Sequence, residues 1–338
     1  MTPNLILPQH IDSTMITCAR SCLEKFRLEF CYGLRPGGIS IDLHAGACFA
    51  TALETTRRAI FQKQKSLGDA LIEAHGAFAV EWGQFEIPEY KKTAKTFDRT
   101  WEAVEDYFKT YPPLTDHIQP YFVTGKPTFE FTFAIPLEPI ANPIPEQIDA
   151  HTTYTNYDPN YYDGDFPAHP SGEPWLYCGR FDMFGEYVNK PIILDEKTTG
   201  SSISSGWSDK WTLRNQFMGY VWACQQLGIQ LDSVAVRGIA IQKTQFGHAE
   251  AIKMFSQHML DRWHEQLRRD MWRIREAWDT GYFDYNFADT CTSYGNCIFL
   301  NTCAATSDMR ENWYNDFEVR HWNPLKKNPV GELEPKAA

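Results

Sequence analysis

The sequence predicts a mixed α/β fold, a small central sheet flanked by helices. Three observations carry this. Helical apolar periodicity fills the first third of the chain and returns near its end. Strand-length apolar or alternating runs lie between about residues 128 and 241. The order is helices, three strands, a helix, a strand and a helix, which suits one layered core. The 338 residues are 43% hydrophobic, enough for a sizeable interior. No composition boundary divides them, so one domain is expected over 1–325. It would comprise N-terminal helices (1–115), a core (125–280), a cysteine-bearing segment (285–310) and then a flexible tail (326–338).

The first helix starts after the cap-type residues Asp12, Ser13 and Thr14 and carries Leu23, Phe26 and Phe30 at helical spacing. Gly33, Pro36, Gly37 and Gly38 end it. A second helix is expected over about 44–64, with small residues (Ala45, Gly46, Ala47, Ala50, Ala52) for close packing. A third runs from Thr96 to about Tyr111 and stops at Pro112-Pro113. Residues 128–135 alternate as a strand. The stretch 136–174, rich in Pro, Asn, Tyr, Asp and Gly, reads as a long loop. Strands follow at 175–184 and 191–195, joined by a turn at Asn189-Lys190. A Gly/Ser linker (200–206) leads to a helix over about 211–227 closed by Gly228. Residues 234–241 form a buried strand and about 256–278 a long amphipathic helix. From about Asn323 the chain reads as frayed.

Composition excludes several classes. No run of about 18 apolar residues suits a transmembrane helix. No basic, then apolar, leader marks export, so a cytoplasmic setting is expected. Nine cysteines, an odd number, then point to reduced thiols or metal ligands rather than a disulfide framework. A net charge of −11 argues against coating nucleic acid through bulk charge, but not against a local basic groove.

The most informative stretch is Gly179-Arg180-Phe181-Asp182 followed by Ile192-Ile193-Leu194-Asp195-Glu196-Lys197-Thr198-Thr199. Two carboxylates fall on neighbouring strands, and Asp195 and Lys197, two apart, point to one side. Hard oxygen ligands on strands suit Mg²⁺ or Mn²⁺. A lysine beside them can orient or deprotonate water and steady a phosphate. Alone, each half is more often a turn aspartate or a solvated strand edge. The apolar run leading into Asp195 favours the chemical reading, because a charge at the mouth of a buried strand needs a partner. Gln216 and Tyr220 share one face of the next helix, within reach of a phosphate, a base or the lysine, or as an ordinary polar helix edge.

In this order, Asp182, Asp195-x-Lys197 and Gln216-x-x-x-Tyr220 resemble the PD-(D/E)xK nuclease superfamily, specifically its RecB-like exonuclease branch, over about residues 10–303. The resemblance implies a restriction-endonuclease-like core. It implies Asp182 and Asp195 as metal ligands, the Glu196 carbonyl as a further one, and Lys197 as the catalytic lysine. The family's early-helix pattern Gly-x-x-x-His-x-x-Leu-Glu aligns with Gly46 to Glu54, but Ala50 stands at the histidine position. Glu54, one turn on, is the expected substitute, with His44 as another candidate.

Cys291, Cys297 and Cys303 are evenly spaced and require a fourth ligand, which Cys18 or Cys22 offers. In iron–sulfur members of this branch one N-terminal cysteine joins three near the C-terminus. Cys22-Leu23-Glu24-Lys25-Phe26 resembles their Cys-Pro-Arg-Lys-Phe pattern, so Cys22 is favoured, with Cys18 second, for a 4Fe–4S cluster. A zinc staple or unligated thiols are the alternatives. Cys31, Cys48, Cys178 and Cys224 read as core thiols. The five arginines of the 256–278 helix alternate with acids, which favours surface pairing over a DNA track. Lys91, Lys92 and Lys95 form a weak basic patch, and Tyr154, Tyr157, Tyr161 and Tyr162 suit base stacking or loop packing. The expectation is a metal-dependent DNA exonuclease, acting on single strands or duplex ends in phage or bacterial recombination, repair or replication. A nuclease-fold binding protein without turnover is the second reading, and an iron–sulfur or zinc protein with an incidental acidic motif the third.

Overall fold

The computed structural model describes residues 3–38, 40–87, 91–123, 125–137, 166–292, 296–326 and 329–330. The tyrosines at 154, 157, 161 and 162 lie outside them, as does most of the expected long loop.

In chain order the elements are β1 (His10–Ile11), α1 (Ser13–Ser21), α2 (Leu23–Phe26, running into a π turn, Arg27–Cys31), β2 (Leu34–Pro36), α3 (Ile41–Phe61), α4 (Leu67–Trp82) and α5 (Phe97–Thr110). Then come β3 (Gln119–Pro120), β4 (Phe122–Val123), β5 (Lys126–Pro127), β6 (Phe129–Pro136), β7 (Leu176–Tyr187), β8 (Lys190–Thr199), α6 (Asn215–Gln226), β9 (Ser233–Ile241), β10 (Phe246–Met254), α7 (Gln257–Thr280), α8 (Leu300–Ala304) and β11 (Phe317–Val319). The caps follow the sequence: Asp12 accepts the Met15 N–H at 2.8 Å and Thr96 that of Arg99 at 3.2 Å. The β7–β8 turn is Val188-Asn189, one residue earlier than expected, both with positive φ as a two-residue hairpin demands.

Of the longer elements, α4 and β10 are not predicted by the sequence. In α4 the buried face is a narrow line, Ala70, Ala74, Phe78 and Trp82, and Gly68 and Gly76 lower its helix propensity. It forms by packing on α3. β10 pairs with β9 over nine residues as a half-exposed strand, so its sequence lacks clear apolar alternation.

The result is a mixed sheet between helices. β7 is its hub. One edge of β7 takes β6 and β3, antiparallel; the other takes β8, antiparallel from Met183 to Tyr187, and β1, parallel at Leu176 and Tyr177. β9 lies parallel to β8, and β10 closes that side. One face carries the main core, with Tyr177, Phe181, Ile193, Val234 and Val236 against α6 and α7. Ile192, Leu194 and Ala235 face the other way, towards the α3–α5 layer.

Two irregularities position the site. The β7–β8 ladder stops at Met183↔Leu194, one pair short of Asp182 and Asp195, so the strands part there. Side-chain alternation also slips between β6 and β7. Phe129 and Met183 pack with Leu194, yet two residues on Phe131 stacks on Phe181 (5.1 Å) in the main core. In a regular ladder residues two apart share a face. The slip coincides with Glu130, whose φ of 54° lies in the left-handed region.

An early and a late segment meet: β2 pairs antiparallel with β11. The stretch expected to fray folds back at least to residue 330. Trp322 bridges to Val330, the Asn323 N–H donates to the Pro329 carbonyl (2.7 Å), and the Trp322 indole donates to buried Asp12 (2.9 Å). Aromatic packing against Phe30 and Arg35 outweighs the Lys/Pro-rich composition here. Among the described residues no helix is long and apolar enough to cross a membrane.

Candidate functional site

Asp182, Asp195 and Lys197 meet where β7 and β8 part. The Asp182 Oδ2 accepts the Glu196 N–H at 2.6 Å, in place of the ladder bond the parted strands cannot make. Asp195 is 1% exposed, and its Oδ1 lies against the Lys197 ammonium without hydrogen-bond geometry. Burial pushes the Asp182 carboxyl well above its usual range, and the nearby charges of Asp195, Glu196 and Glu130 push the same way. Burial likewise raises Asp195, against the pull of Lys197. For Lys197 burial acts downward, but Asp195 and Asp182 outweigh it and hold the side chain as an ammonium.

A raised carboxyl is a destabilising one at neutral pH. The unfolded Asp182 ionises near its ordinary 3.8, so the penalty is absent in acid and grows as pH climbs from there through the folded value. Asp182→Asn should therefore raise the melting temperature at pH 7 by about 2–5 °C and lose that advantage below about pH 4. A lower melting temperature at pH 7 would contradict this electrostatic account.

Glu196 points away from this pair, as strand alternation requires. Its carboxylate is 4% exposed and meets Arg57 (Nη1 at 3.1 Å, Nη2 closer) and the Tyr107 hydroxyl (2.5 Å). Arg237, fully buried, donates to the same Tyr107 (3.0 Å) and pairs with Asp116 (2.6 Å) and Glu250 (2.7 Å). Of Glu196, only the backbone carbonyl remains for a ligand role.

Gln216 and Tyr220 act on β7. Gln216 donates its amide N–H to the Tyr220 hydroxyl (2.7 Å), which in turn donates to the Arg180 carbonyl. Gly179 permits this seat: a Cβ there would fall 2.5 Å from Phe133 and 3.0 Å from Tyr220. Burial, then Asp195, keeps the Tyr220 hydroxyl protonated. Both residues position the strand that carries Asp182.

On the α3 side a cavity of about 230 Å³ is lined by Ala47, Ala50, Glu130, Arg180, Asp182 and Trp322, among others. Ala50, which stands where the resembled pattern has histidine, thus lines the same cavity as Asp182. Glu54 is not among the lining residues; it pairs with Arg58 (2.9 Å), which donates to the Phe129 carbonyl (3.1 Å), bracing α3 against β6. His44 lines the cavity but is stacked on Phe85 (4.0 Å) and bonded to the Trp82 carbonyl (3.2 Å). Glu130 and Glu81 also line it, and no sequence motif marks either, because a lone glutamate in an alternating strand or a helix carries no signal.

The four proposed cysteine ligands, Cys22, Cys291, Cys297 and Cys303, line one further cavity of about 270 Å³. Cys22 caps α2, its sulfur accepting the Lys25 N–H at 3.4 Å. The Cys297 N–H donates to the Cys291 carbonyl (2.7 Å). Burial first, then neighbouring Cys297 and Cys22, raises the Cys291 thiol. Burial, then Glu24, pushes Cys303 up to about 11. Cys18 lies elsewhere, buried with its sulfur 3.9 Å from Glu29. Cysteine sulfurs are the donor type that an iron–sulfur cluster takes, and carboxylates the type that Mg²⁺ or Mn²⁺ takes. Among the described residues no group of three or more His, Cys, Asp or Glu side chains stands so that it could hold a metal ion.

On α7 three of the five arginines are paired with acids of the same helix, Arg268 and Arg269 with Glu265 and Arg275 with Asp279. Lys95 is 2% exposed and pairs with Asp42 (3.1 Å), so it is no part of a patch.

No family model and no curated protein matches this chain. Among solved structures it is similar to one described as "Crystal structure of SSO0001", at 12% identity over 89% of each chain and a TM-score of 0.31. So faint a likeness bears on neither fold nor function.

Proposed function

We propose that the chain is a metal-dependent nuclease with a PD-(D/E)xK, RecB-like core, hydrolysing DNA phosphodiesters from an end, with a structural 4Fe–4S cluster. The observation that carries this reading is the parting of β7 and β8 at Asp182 and Asp195, with Lys197 paired to Asp195 at the opening. Asp182, Asp195 and the Glu196 carbonyl would hold Mg²⁺ or Mn²⁺, which supplies a water of lowered pKa and stabilises charge on the phosphoryl oxygens. Lys197, held as an ammonium, orients that water and steadies the phosphate. Tyr220 and Gln216 keep β7 in register, so Asp182 stays aimed at the opening. Phage or bacterial DNA recombination, repair or replication, in a bacterial cytoplasm, is the setting this reading implies.

The test is labelled single- and double-stranded DNA incubated with the protein in Mn²⁺ or Mg²⁺. Shortening of the label from one end supports the reading; intact DNA with both metals removes it. Ala50 at the histidine position favours a second reading, a DNA-binding protein without turnover, which would retain DNA in a gel shift yet leave it uncut.

The cysteine cavity gives an independent prediction. Protein purified without oxygen should be brown, with a broad band near about 400 nm from thiolate-bound iron. Cys22→Ser and Cys291→Ser should each abolish the band and Cys18→Ser retain it. Colour lost in Cys18→Ser but kept in Cys22→Ser would reverse the assignment. A cluster there would clasp N- and C-terminal segments already joined by β2 and β11.

A further inference from the structure

The nuclease reading leaves one ligand position open, because Ala50 cannot bind a metal. We infer that Glu130, on β6, fills it: Glu130 and Asp182 are the two side-chain carboxylates that hold the metal from the cavity side, with Asp195 reaching it through the gap between β7 and β8. This inference rests on the proposed nuclease activity and concerns this chain's own departure from the pattern.

Register is the first argument. Phe129 pairs with Met183 and Phe131 with Phe181, so Glu130 stands directly across from Asp182. Met183 pairs with Leu194, so the same row continues to Asp195. Glu130, Asp182 and Asp195 therefore stand at one level of three adjacent strands, with Asp195 beyond the point where β7 and β8 part and outside the cavity lining.

Backbone conformation is the second. A glutamate at φ 54° is strained by about 1 kcal/mol or more. The strain coincides with the face switch between Phe129 and Phe131, and Glu130 lines the cavity beside Asp182.

Space and charge complete the case. Ala47 and Ala50 leave the opposite wall short, where the cavity opens over the two carboxylates. Arg180 Nε sits 2.8 Å from Glu130 Oε2 and lines the same cavity, as Lys197 sits on Asp195. Glu130 and Asp195 thus each hold a cation that a divalent ion can displace, while Arg180 stays beside the metal to meet a phosphate. Glu54, by contrast, is committed to the Arg58 brace.

The experiment is Mn²⁺ titration followed by the electron paramagnetic resonance of free ion, on the full chain without DNA, for wild type, Glu130→Gln, Glu54→Gln and Asp195→Asn. The expected result is Mn²⁺ affinity about tenfold or more weaker in Glu130→Gln and within about threefold of wild type in Glu54→Gln. Should Glu130→Gln fail to fold, Glu130→Asp keeps the charge, tolerates the left-handed backbone better and shortens the reach; its affinity should fall as well. Wild-type affinity in the Glu130 variants with loss in Asp195→Asn overturns the Glu130 assignment and leaves the nuclease reading standing. No Mn²⁺ binding by the wild type removes both.

Discussion

Asp195→Ala and Lys197→Ala should each slow DNA degradation by at least about 10³-fold. The two side chains share one strand face and one ion pair, so the double substitution should be hardly worse than either single one. Loss of Asp195 leaves Lys197 without its main anion, so the lysine's raised pKa falls back under burial. Residual activity of Asp195→Ala should then show a new dependence on pH in the alkaline range, where Lys197 titrates. The melting temperature of Lys197→Ala should fall, because buried Asp195 loses its counter-charge, so activity is compared at a temperature where both proteins are folded. Undiminished degradation in both variants would place the chemistry elsewhere.

The second large effect is on stability, not chemistry. Glu196→Gln should cost about 3–5 kcal/mol, a fall in melting temperature of roughly 5–10 °C. The amide keeps the shape but leaves Arg57 buried without an anion, beside a second buried guanidinium, Arg237. Burial pushes the Glu196 carboxyl up, but Arg57 and the Tyr107 hydroxyl outweigh it and hold it below its ordinary 4.5. A lowered carboxyl contributes stability that is full above the unfolded value and disappears as pH drops through the folded one. The gap between wild type and Glu196→Gln should therefore be constant at neutral pH and close only in acid, below about pH 4. Activity per folded molecule should change by less than about tenfold, since the side chain faces away from Asp195 and Lys197. A drop equal to that of Lys197→Ala would mean that Glu196 takes part in the site itself.

These two neighbours show what was legible. Strand periodicity separates Asp195 and Lys197 from Glu196, because alternate residues must face opposite ways. It does not say that the side facing away is filled by Arg57, Tyr107 and Arg237, whose contributions come from α3, α5 and β9. Cys22 was singled out by its resemblance to a family pattern, yet it lines one cavity with Cys291, Cys297 and Cys303 through contacts across most of the chain, such as the Glu24 N–H to the Asp284 carbonyl (3.1 Å) and the Asn286 amide to the Ser21 carbonyl (2.6 Å). α4 and β10 were not legible, since their stability comes from α3 and β9 rather than from their own apolar pattern.

By itself, then, the sequence determined the mixed α/β class, the caps and limits of its strongest helices, and the faces of the strand that bears Asp195 and Lys197. These follow from local rules: period, capping and turn chemistry. Only the tertiary structure decided that β7 and β8 part at the two aspartates, that Glu54 is spent on Arg58, and that Glu130 enters the cavity opposite Ala50. Ladder termination, a left-handed residue and a void are set by neighbours far away in the chain, and no spacing within one segment encodes them.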